Sequence, residues 1–323
     1  MPSLKEIKGR IASVKSTRKI TSAMKMVASS KLHHAQVAIQ NMLPYEELLE
    51  HILKSFLAAE AEAQTIYDQD RPVRRAALVV FTSNSSLCGG FNANTIKMMT
   101  HAVDEYDKTI GRSNVEIYPI GRKVYEKAKK MGLAVQGEFS ALADKPNVQQ
   151  CIEIAVELGR KFQEGQIDKV ELIYHHFKSA GSQVLTRKTF LPIDIESELN
   201  ADKERDLESV IATKESQEYL KKRGERETEQ KKDDVKPLND NFIVEPDMNT
   251  VLSQLMPKLA HLSLYTALLD SNASEHAARM VAMQTATDNA DELLRELNLQ
   301  YNKSRQQAIT SELLDIVGGS VNN

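Results

Sequence analysis

Two long stretches at the ends of the chain carry apolar residues at the three- and four-residue steps of an amphipathic helix. The first covers residues 3–60, where Leu4, Ile7 and Ile11 open the stripe, and the second begins near Met248 and continues to the end. At 1.5 Å per residue these helices would be roughly 80–90 Å and roughly 105 Å long. Because neither helix can bury its stripe alone, the pattern predicts that they pair as an antiparallel coiled coil.

The middle of the chain has short apolar runs that alternate with helical segments, and a turn at Gly181 precedes the last run. This alternation predicts a Rossmann-like α/β domain with a mostly parallel sheet and an antiparallel last strand at its edge. The predicted strands are 76–81, 115–120, 169–177 and 182–192, and the predicted helices are about 92–108, 121–131 and 147–163.

The predicted fold class is therefore α/β, with a Rossmann-like head domain joined to a long coiled coil of the terminal helices. Residues 196–236 contain thirteen acids and ten bases and a single aromatic residue, which is typical of a solvated insertion. The predicted domains are the coiled coil (1–68 and 245–323), the head (76–192) and a charged insertion or linker (193–244).

Local signals refine the two terminal helices. Ser3 followed by Glu6 predicts a capping box, and Pro44 predicts a kink or a helix restart. Pro257 is a second weak point. Ile20, Met24 and Val27 are predicted to continue the buried stripe of the first helix. Small residues are expected to let the two helices approach closely: Ala23, Ala28, Ser29 and Ser30 opposite Ala273, Ala277, Ala282 and Ala286.

Charge is distributed unevenly, although the net charge is only -3. Residues 1–34 hold eight cations against the single acid Glu6, and this surplus indicates an acidic partner. Aromatic side chains for base stacking are not interleaved with the cations, so an acidic protein surface fits better than nucleic acid. The cations are Lys5, Lys8, Arg10, Lys15, Arg18, Lys19, Lys25 and Lys31.

Candidate chemistry is sparse. Two cysteines, Cys88 and Cys151, predict neither a disulfide framework nor a metal site, and no stretch is apolar enough to span a membrane. The loop "SNSSLCGGFN" at 83–92 follows a strand and leads into a helix, as a phosphate-binding loop would, but it lacks the P-loop and dinucleotide-binding patterns. We interpret it as a structural turn and keep a ligand or catalytic loop as the alternative.

Three segments resemble the γ subunit of F-type ATP synthases. They are "IKGRIASVKSTRKITSAMKMVASSKL", "SLCGGFN" and the long run from "SEHAARMVAMQTATDN" to "SELLDIVGG". The resemblance implies a rotor in the central stalk that transmits torque between the proton-driven membrane c-ring and the catalytic α/β hexamer. It implies one copy per complex, contacts with the α, β and ε subunits and the c-ring, no nucleic acid, no cofactor, no metal and no catalytic residue of its own. It also implies a peripheral position, which for a chain starting at Met1 without a targeting segment is the cytoplasmic face of a bacterial cell membrane.

The same resemblance assigns roles to residues of this chain. Met24, flanked by Lys19 and Lys25, is expected where the shaft meets an acidic lever of the β subunit. Arg305 and Gln306 resemble a polar catch to the β ring. Thr310 and Glu312 are expected to pack back toward the Met24 segment. Cys88, Gly89 and Gly90 form the structural loop of the head. The insertion lies where plastid γ subunits carry a regulatory insertion, but residues 193–250 contain no cysteine for a dithiol switch.

Two other functions stay open at this point. One is a small-molecule enzyme that uses the 83–92 loop and has a helical handle for oligomerisation. The other is a coiled-coil scaffold for nucleic acid, which only the basic helix face suggests.

Overall fold

The computed structural model describes residues 3–58, 67, 69, 71–193, 245 and 247–321. Within these ranges the chain contains helices at both ends and a sheet with its own helices between them. The helices are α1 (Leu4–Ala58), α2 (Phe91–Thr109), α3 (Arg122–Lys130), α4 (Ser140–Asp144), α5 (Val148–Gln163) and α6 (Met248–Val321). The strands are β1 (Ala76–Phe81), β2 (Val115–Ile120), β3 (Ala134–Val135), β4 (Lys169–Ser179) and β5 (Ser182–Leu191), and a short 3-10 helix covers Arg112–Asn114.

The five strands form one sheet in the order β3-β2-β1-β4-β5. β1 pairs in parallel with β2 and β4, β2 pairs in parallel with β3, and β5 is antiparallel to β4 at the edge. β1 is therefore central, which explains why its sequence AALVVF is apolar at every position. The predicted mostly parallel sheet with an antiparallel edge strand is confirmed.

Helices cover both faces of this sheet, because successive side chains of a strand point to opposite sides. One apolar core contains Ala76, Leu78 and Val80 of β1 together with buried residues of α2 and α3. The other contains Ala77, Val79 and Phe81 with buried residues of α5, and it continues into α1 and α6. The second core explains why parts of the terminal helices pack with the sheet.

Residues 4–29 of α1 and 279–321 of α6 belong to one compact unit, which we call the helix-pair unit. The rest of both helices groups with the sheet in a second unit, Ser30–Ala278, which we call the head unit. The division falls inside both helices. The predicted insertion, 193–244, lies outside the described residues apart from Ile193.

Several details differ from the sequence-based expectations. α1 continues through Pro44 and α6 through Pro257, so neither proline starts a new helix. Leu49 and Leu53 are buried in the head core and stabilise the turns that follow Pro44. β3 and α4 have only two and five residues, which is too short for a periodic pattern, and the sequence did not predict them.

The capping box is confirmed: Ser3 N–H donates to Glu6 Oε2 (2.8 Å) and Glu6 N–H to Ser3 Oγ (3.3 Å).

Candidate functional site

Buried positions recur every seven residues along both helices of the helix-pair unit. On α1 the buried members of this series are Ile7, Thr21 and Ala28, with a half-buried Val14 between them. On α6 the series is Met283, Ala290 and Leu297. A strict seven-residue repeat is the seam of a coiled coil, where each residue packs between residues of the facing helix. The seam is thin, because Ala28 and Ala290 fill little space.

Two contacts fix the register of the pair. The hydroxyls of Thr21 and Thr287 are 2.8 Å apart, and Arg18 Nε lies 2.5 Å from Asp291 Oδ1. From the first contact to the second, the residue number falls by three on α1 (Thr21 to Arg18) and rises by four on α6 (Thr287 to Asp291). The two helices are therefore antiparallel. A polar pair in an apolar seam specifies register, since a shift by one turn would leave both hydroxyls facing apolar side chains. The sequence stripe did not include Thr21, because threonine does not read as an apolar residue.

The predicted stripe on α1 was wrong in phase after Val14. Ile20 and Val27, which we expected to be buried, are 57% and 58% exposed. The seam runs one residue later, through Thr21 and Ala28. Ala23 and Ser30 are also exposed rather than buried. The physical reason is that one partner helix covers only a narrow stripe, and the seven-residue repeat decides which stripe that is.

The proposed coupling residues of α1 lie on or beside its outer surface. Lys19 is exposed, whereas Met24 and Lys25 are half-buried at the edge of the seam. The other cations of residues 3–29 are exposed as well, and one of them, Arg18, is paired with Asp291. The outer face of this part of α1 therefore offers positive charge with an apolar methionine at its border.

The proposed coupling residues of α6 lie far from Met24 along the pair. Arg305, Gln306, Thr310 and Glu312 are all exposed. The Thr21–Thr287 contact places Met24 level with about residue 284 of α6, so Arg305 lies about 30 Å further along the axis at 1.5 Å per residue. The expectation that Thr310 and Glu312 pack back toward Met24 is therefore wrong, because the register brings a different part of α6 to that level.

Large apolar side chains are also exposed on α6 after the buried Leu297. Leu299, Ile309, Leu313 and Leu314 are between 47% and 67% exposed. Thr310 donates its hydroxyl hydrogen to the carbonyl of Gln306, within its own helix. The arrangement offers apolar contact area interspersed with polar groups, which suits contact with a surrounding protein surface.

The loop between β1 and α2 is organised by Asn92. Asn92 Oδ1 accepts from Ser83 N–H (3.0 Å), while Nδ2 lies 2.8 Å from Ser83 Oγ, 3.2 Å from the Ser85 carbonyl oxygen and 3.1 Å from Cys88 Sγ. Cys88 is buried, and Leu87 and Gly89 have φ values of 70° and 58°. Gly90 precedes α2, and an added Cβ there would lie 3.1 Å from Asn94 Nδ2. Polar groups of the loop bond one another, as expected of a structural turn.

A polar segment of α6 inside the head unit was missed by the sequence reasoning. All residues from 267 to 277 are buried, although this stretch includes Asp270, Asn272 and Ser274. Asp270 Oδ2 lies 2.7 Å from His176 Nδ1 of β4, the Ser274 hydroxyl donates to the His175 carbonyl (3.2 Å), and Asn272 Nδ2 donates to the Ala143 carbonyl (2.8 Å). We call these three contacts the polar joint. They attach α6 to the end of β4 and to α4 through directional bonds.

His175, next to the polar joint, is buried in an apolar setting. Its ring stacks on Phe91 with centroids 4.4 Å apart, and Nδ1 lies 3.3 Å from the Thr95 hydroxyl. Burial lowers the pKa of His175 to about 4, so its imidazole is neutral near pH 7. The adjacent histidines point to opposite faces of β4, as the sequence predicted for a strand.

The residues that the structure describes contain no group of three or more histidine, cysteine, aspartate or glutamate side chains arranged to hold a metal ion. Among the same residues, no helix combines the length and apolar character of a membrane span.

Comparison with known proteins identifies the family. A family model described as ATP synthase matches residues 3–321. The chain is 53% identical over 321 residues to the ATP synthase gamma chain of Phocaeicola vulgatus and 50% identical over 323 residues to that of Bacteroides thetaiotaomicron. In each case the match covers 99% of this chain and all of the relative.

Two solved ATP synthase structures contain chains whose fold is similar to that of this protein. A chain of the Euglena gracilis mitochondrial ATP synthase, from a structure of OSCP, F1 and the c-ring, matches with a TM-score of 0.59 and 19% identity, covering 99% of this chain and 94% of that one. A chain of the Tetrahymena thermophila mitochondrial ATP synthase central stalk and c-ring matches with a TM-score of 0.52 and 24% identity, covering 83% of this chain and 99% of that one. The match of the family model to residues 3–321 and the full-length matches to curated gamma chains show that this chain belongs to the ATP synthase γ-chain family.

Proposed function

We propose that this protein is the central-stalk rotor subunit of an F-type ATP synthase, which transmits torque between the proton-driven c-ring and the catalytic α/β hexamer. The observation that carries the proposal is full-length identity of 50–53% to curated gamma chains. The helix-pair unit suits this role, because its seam uses small residues and its outer face carries charge and isolated apolar side chains. Its partners are the α, β and ε subunits and the c-ring, with one copy in each complex.

The mechanism needs no bond chemistry in the shaft. A rotor changes the state of a surrounding site only if its contacts with that site differ from one orientation to the next. The α1 side of the pair is strongly basic, whereas the α6 surface mixes acids, bases and apolar groups. Each β subunit therefore meets a different surface as the pair turns. The chain alone is proposed to be non-catalytic, and the complex is proposed to lie at the cytoplasmic face of a bacterial membrane.

The register divides the proposed β contacts into two zones. Lys19, Met24 and Lys25 form the first, where the positive charge suits an acidic lever. Arg305 and Gln306 form the second, about 30 Å further along the pair, with Thr310 and Glu312 following on the same helix. Two zones at separate heights let the shaft act on two parts of a β subunit in the same step. Cys88, Gly89 and Gly90 keep their proposed structural role in the head.

The first test is assembly. Co-expression with the α and β subunits of the same organism should give a complex with about three copies each of α and β for one copy of this chain. The purified chain alone should not hydrolyse ATP, and the complex should. Failure to assemble, or turnover by the isolated chain, would contradict the rotor role.

The second test concerns the first contact zone. Met24→Lys adds a charge where the methionine borders the basic face, and we expect it to lower the ATP synthesised per proton transported more than it lowers assembly. Met26→Lys is the matched control, because Met26 is 65% exposed and lies about 200° around the helix from Met24. Equal loss of coupling in both variants would reject the Met24 assignment and leave the rotor role intact.

A further inference from the structure

In the head unit, α3 carries an unusual density of positive charge. Its nine residues include five cations and the single acid Glu126. Val124 and Ala128 are buried in the core, which turns the charged positions outward. The five cations are Arg122, Lys123, Lys127, Lys129 and Lys130. We call this surface the α3 patch.

Stabilisation of the helix by its dipole explains the presence of only some of the cations in the α3 patch. Lys127, Lys129 and Lys130 lie in the last turn, where the helix dipole favours positive charge. Arg122 and Lys123 lie in the first turn, where the dipole opposes it. Arg122 is offset by Glu126, whose Oε1 lies 3.3 Å from its Nε. Lys123 instead has a like charge one turn further on, at Lys127, and this spacing is destabilising.

The α3 patch is held firmly on the head. The Arg122 N–H donates to Asn84 Oδ1 (2.9 Å), and the Val124 N–H donates to Thr82 Oγ1 (3.1 Å). Gly121, just before the helix, has a φ of 107°, and a Cβ there would lie 2.0 Å from the Thr82 carbonyl oxygen. At its other end, the Leu133 N–H donates to the Ala128 carbonyl (3.1 Å). These contacts fix the direction in which the cations point.

The positive charges of the patch act together. Cations three or four residues apart on a helix have Cβ atoms about 5–6 Å apart, which is shorter than the Debye length of about 8 Å at physiological salt. Lys129 also has a contact within the helix, with its Nζ 4.3 Å from the centre of the Tyr125 ring. One acid outside α3, Asp144, accepts from the same Asn84 side chain at the start of the helix. This contact places Asp144 at the opposite end of α3 from Lys129 and Lys130.

We propose that the α3 patch binds an acidic segment of a neighbouring protein subunit, an inference that rests on the proposed function because it needs an assembled complex. Charge complementarity identifies the partner as acidic. A protein is favoured over a lipid surface for two reasons. Glu126 interrupts the patch, so the surface is patterned and not uniformly positive, and no large apolar side chain is exposed between residues 122 and 130 for insertion among lipids.

Zero-length cross-linking tests the contact directly. A carbodiimide joins a lysine amine to a carboxylate only where the two already touch. In the purified complex we expect cross-links from Lys127 or Lys130 to an aspartate or glutamate of another subunit, identified by mass spectrometry. If Lys19 or Lys25 cross-links to β while the α3 lysines link to no other chain, the α3 proposal is overturned and the proposed function stands. If neither Lys19 or Lys25 nor the α3 lysines cross-link to another subunit, the result counts against both the α3 proposal and the proposed function.

Matched charge reversals sharpen the result. Lys127→Glu should lower the yield of cross-links from Lys130 by about tenfold, because it reverses the local field. Lys108→Glu, an exposed lysine of α2 outside the patch, should leave that yield unchanged. The lipid alternative is tested by flotation of the full chain with phosphatidylglycerol and phosphatidylcholine vesicles. Binding to the anionic vesicles that Lys127→Glu abolishes and Lys108→Glu preserves would overturn the choice of a protein partner.

Discussion

Two stretches of the same helix are built for opposite purposes. Residues 267–277 of α6 are buried without exception, and their polar side chains include the three that form the polar joint. Residues 302–314 of α6 contain no buried residue, and their leucines and polar groups face outward. The amino-acid sequence of both stretches is mixed, with apolar, small and polar residues side by side.

The difference lies in what satisfies the polar groups. In the polar joint, directional bonds in a dry environment hold one geometry, since leaving any of these groups unpaired is costly. On the exposed stretch, water satisfies the polar groups, and contacts with a partner form and break at little net cost. The first arrangement suits permanent attachment, and the second suits contacts that change as a rotor turns.

The largest expected effect comes from breaking the polar joint. His176→Leu keeps a similar volume but leaves the Asp270 carboxylate, 1% exposed, without its imidazole partner. Removing one member of a buried pair costs about 3–5 kcal/mol. Denaturant unfolding of the full chain measures this loss. The control is His101→Leu, which removes a similar contact (2.9 Å to Glu105) from a side chain that is 79% exposed and should cost under about 1 kcal/mol. Equal losses of unfolding free energy in the two variants would show that burial does not strengthen the contribution of the polar joint to stability.

Acid should weaken the same region. The pKa of His175 is lowered to about 4 by burial, whereas an unfolded histidine titrates near 6.5. Above pH 6.5 the imidazole is neutral in both states. As the pH falls from about 6.5 to 4, the unfolded state takes up a proton that the folded state resists, so about 3 kcal/mol of stability is lost. Unfolding free energies measured across this range should fall more steeply for the native chain than for His175→Gln. An unchanged slope in His175→Gln would contradict the assignment.

A smaller effect is expected at the seam of the helix pair. One threonine hydroxyl donates to the other, and the accepting hydroxyl is free to donate to a carbonyl of its own helix. Thr21→Val or Thr287→Val alone should therefore cost about 1 kcal/mol. The double variant should cost less than the sum, because it removes both hydroxyls from an apolar seam. A double-mutant cycle by denaturant unfolding measures the coupling. Strict additivity would show that the 2.8 Å contact does not contribute to register.

The smallest effect is expected at the exposed ion pair. Arg18 and Asp291 are 45% and 47% exposed, so Arg18→Ala should change the unfolding free energy by less than about 1 kcal/mol. The effect should shrink further in high salt, because screening weakens exposed pairs. Repeating the unfolding measurement at low and high salt checks this. A large, salt-independent loss would place Arg18 among the structural contacts and remove the contrast with His176.

The sequence predicted the sheet well. β1 and β2 have the predicted bounds, and β4 and β5 differ from prediction by one or two residues at one end. Buried parallel strands are continuous apolar runs, which local composition reveals directly. β3 and α4 were missed because they exist only through their neighbours: β3 pairs with two residues of β2, and α4 packs against the head core.

The candidate site was predicted less completely. The basic outer face of α1 agrees with the sequence analysis, but the phase of the seam and the separation of the two proposed contact zones do not. A phase error of one residue changes which side chains face the partner helix. Thr21 sets that phase. A threonine does not stand out as a seam residue in the sequence, and the contact of Thr21 with Thr287 in the structure identifies it as one.

The amino-acid sequence by itself determined the two long terminal helices, the α/β alternation between them, the basic end of α1 and the resemblance that identifies the family. These follow from local spacing and composition, which each segment carries within itself. Tertiary structure alone decided the register of the helix pair, the polar joint of Asp270 with His176, and the direction in which α3 presents its cations. Each of these depends on distances between residues far apart in the chain, such as Thr21 and Thr287, and a one-dimensional pattern contains no such distances.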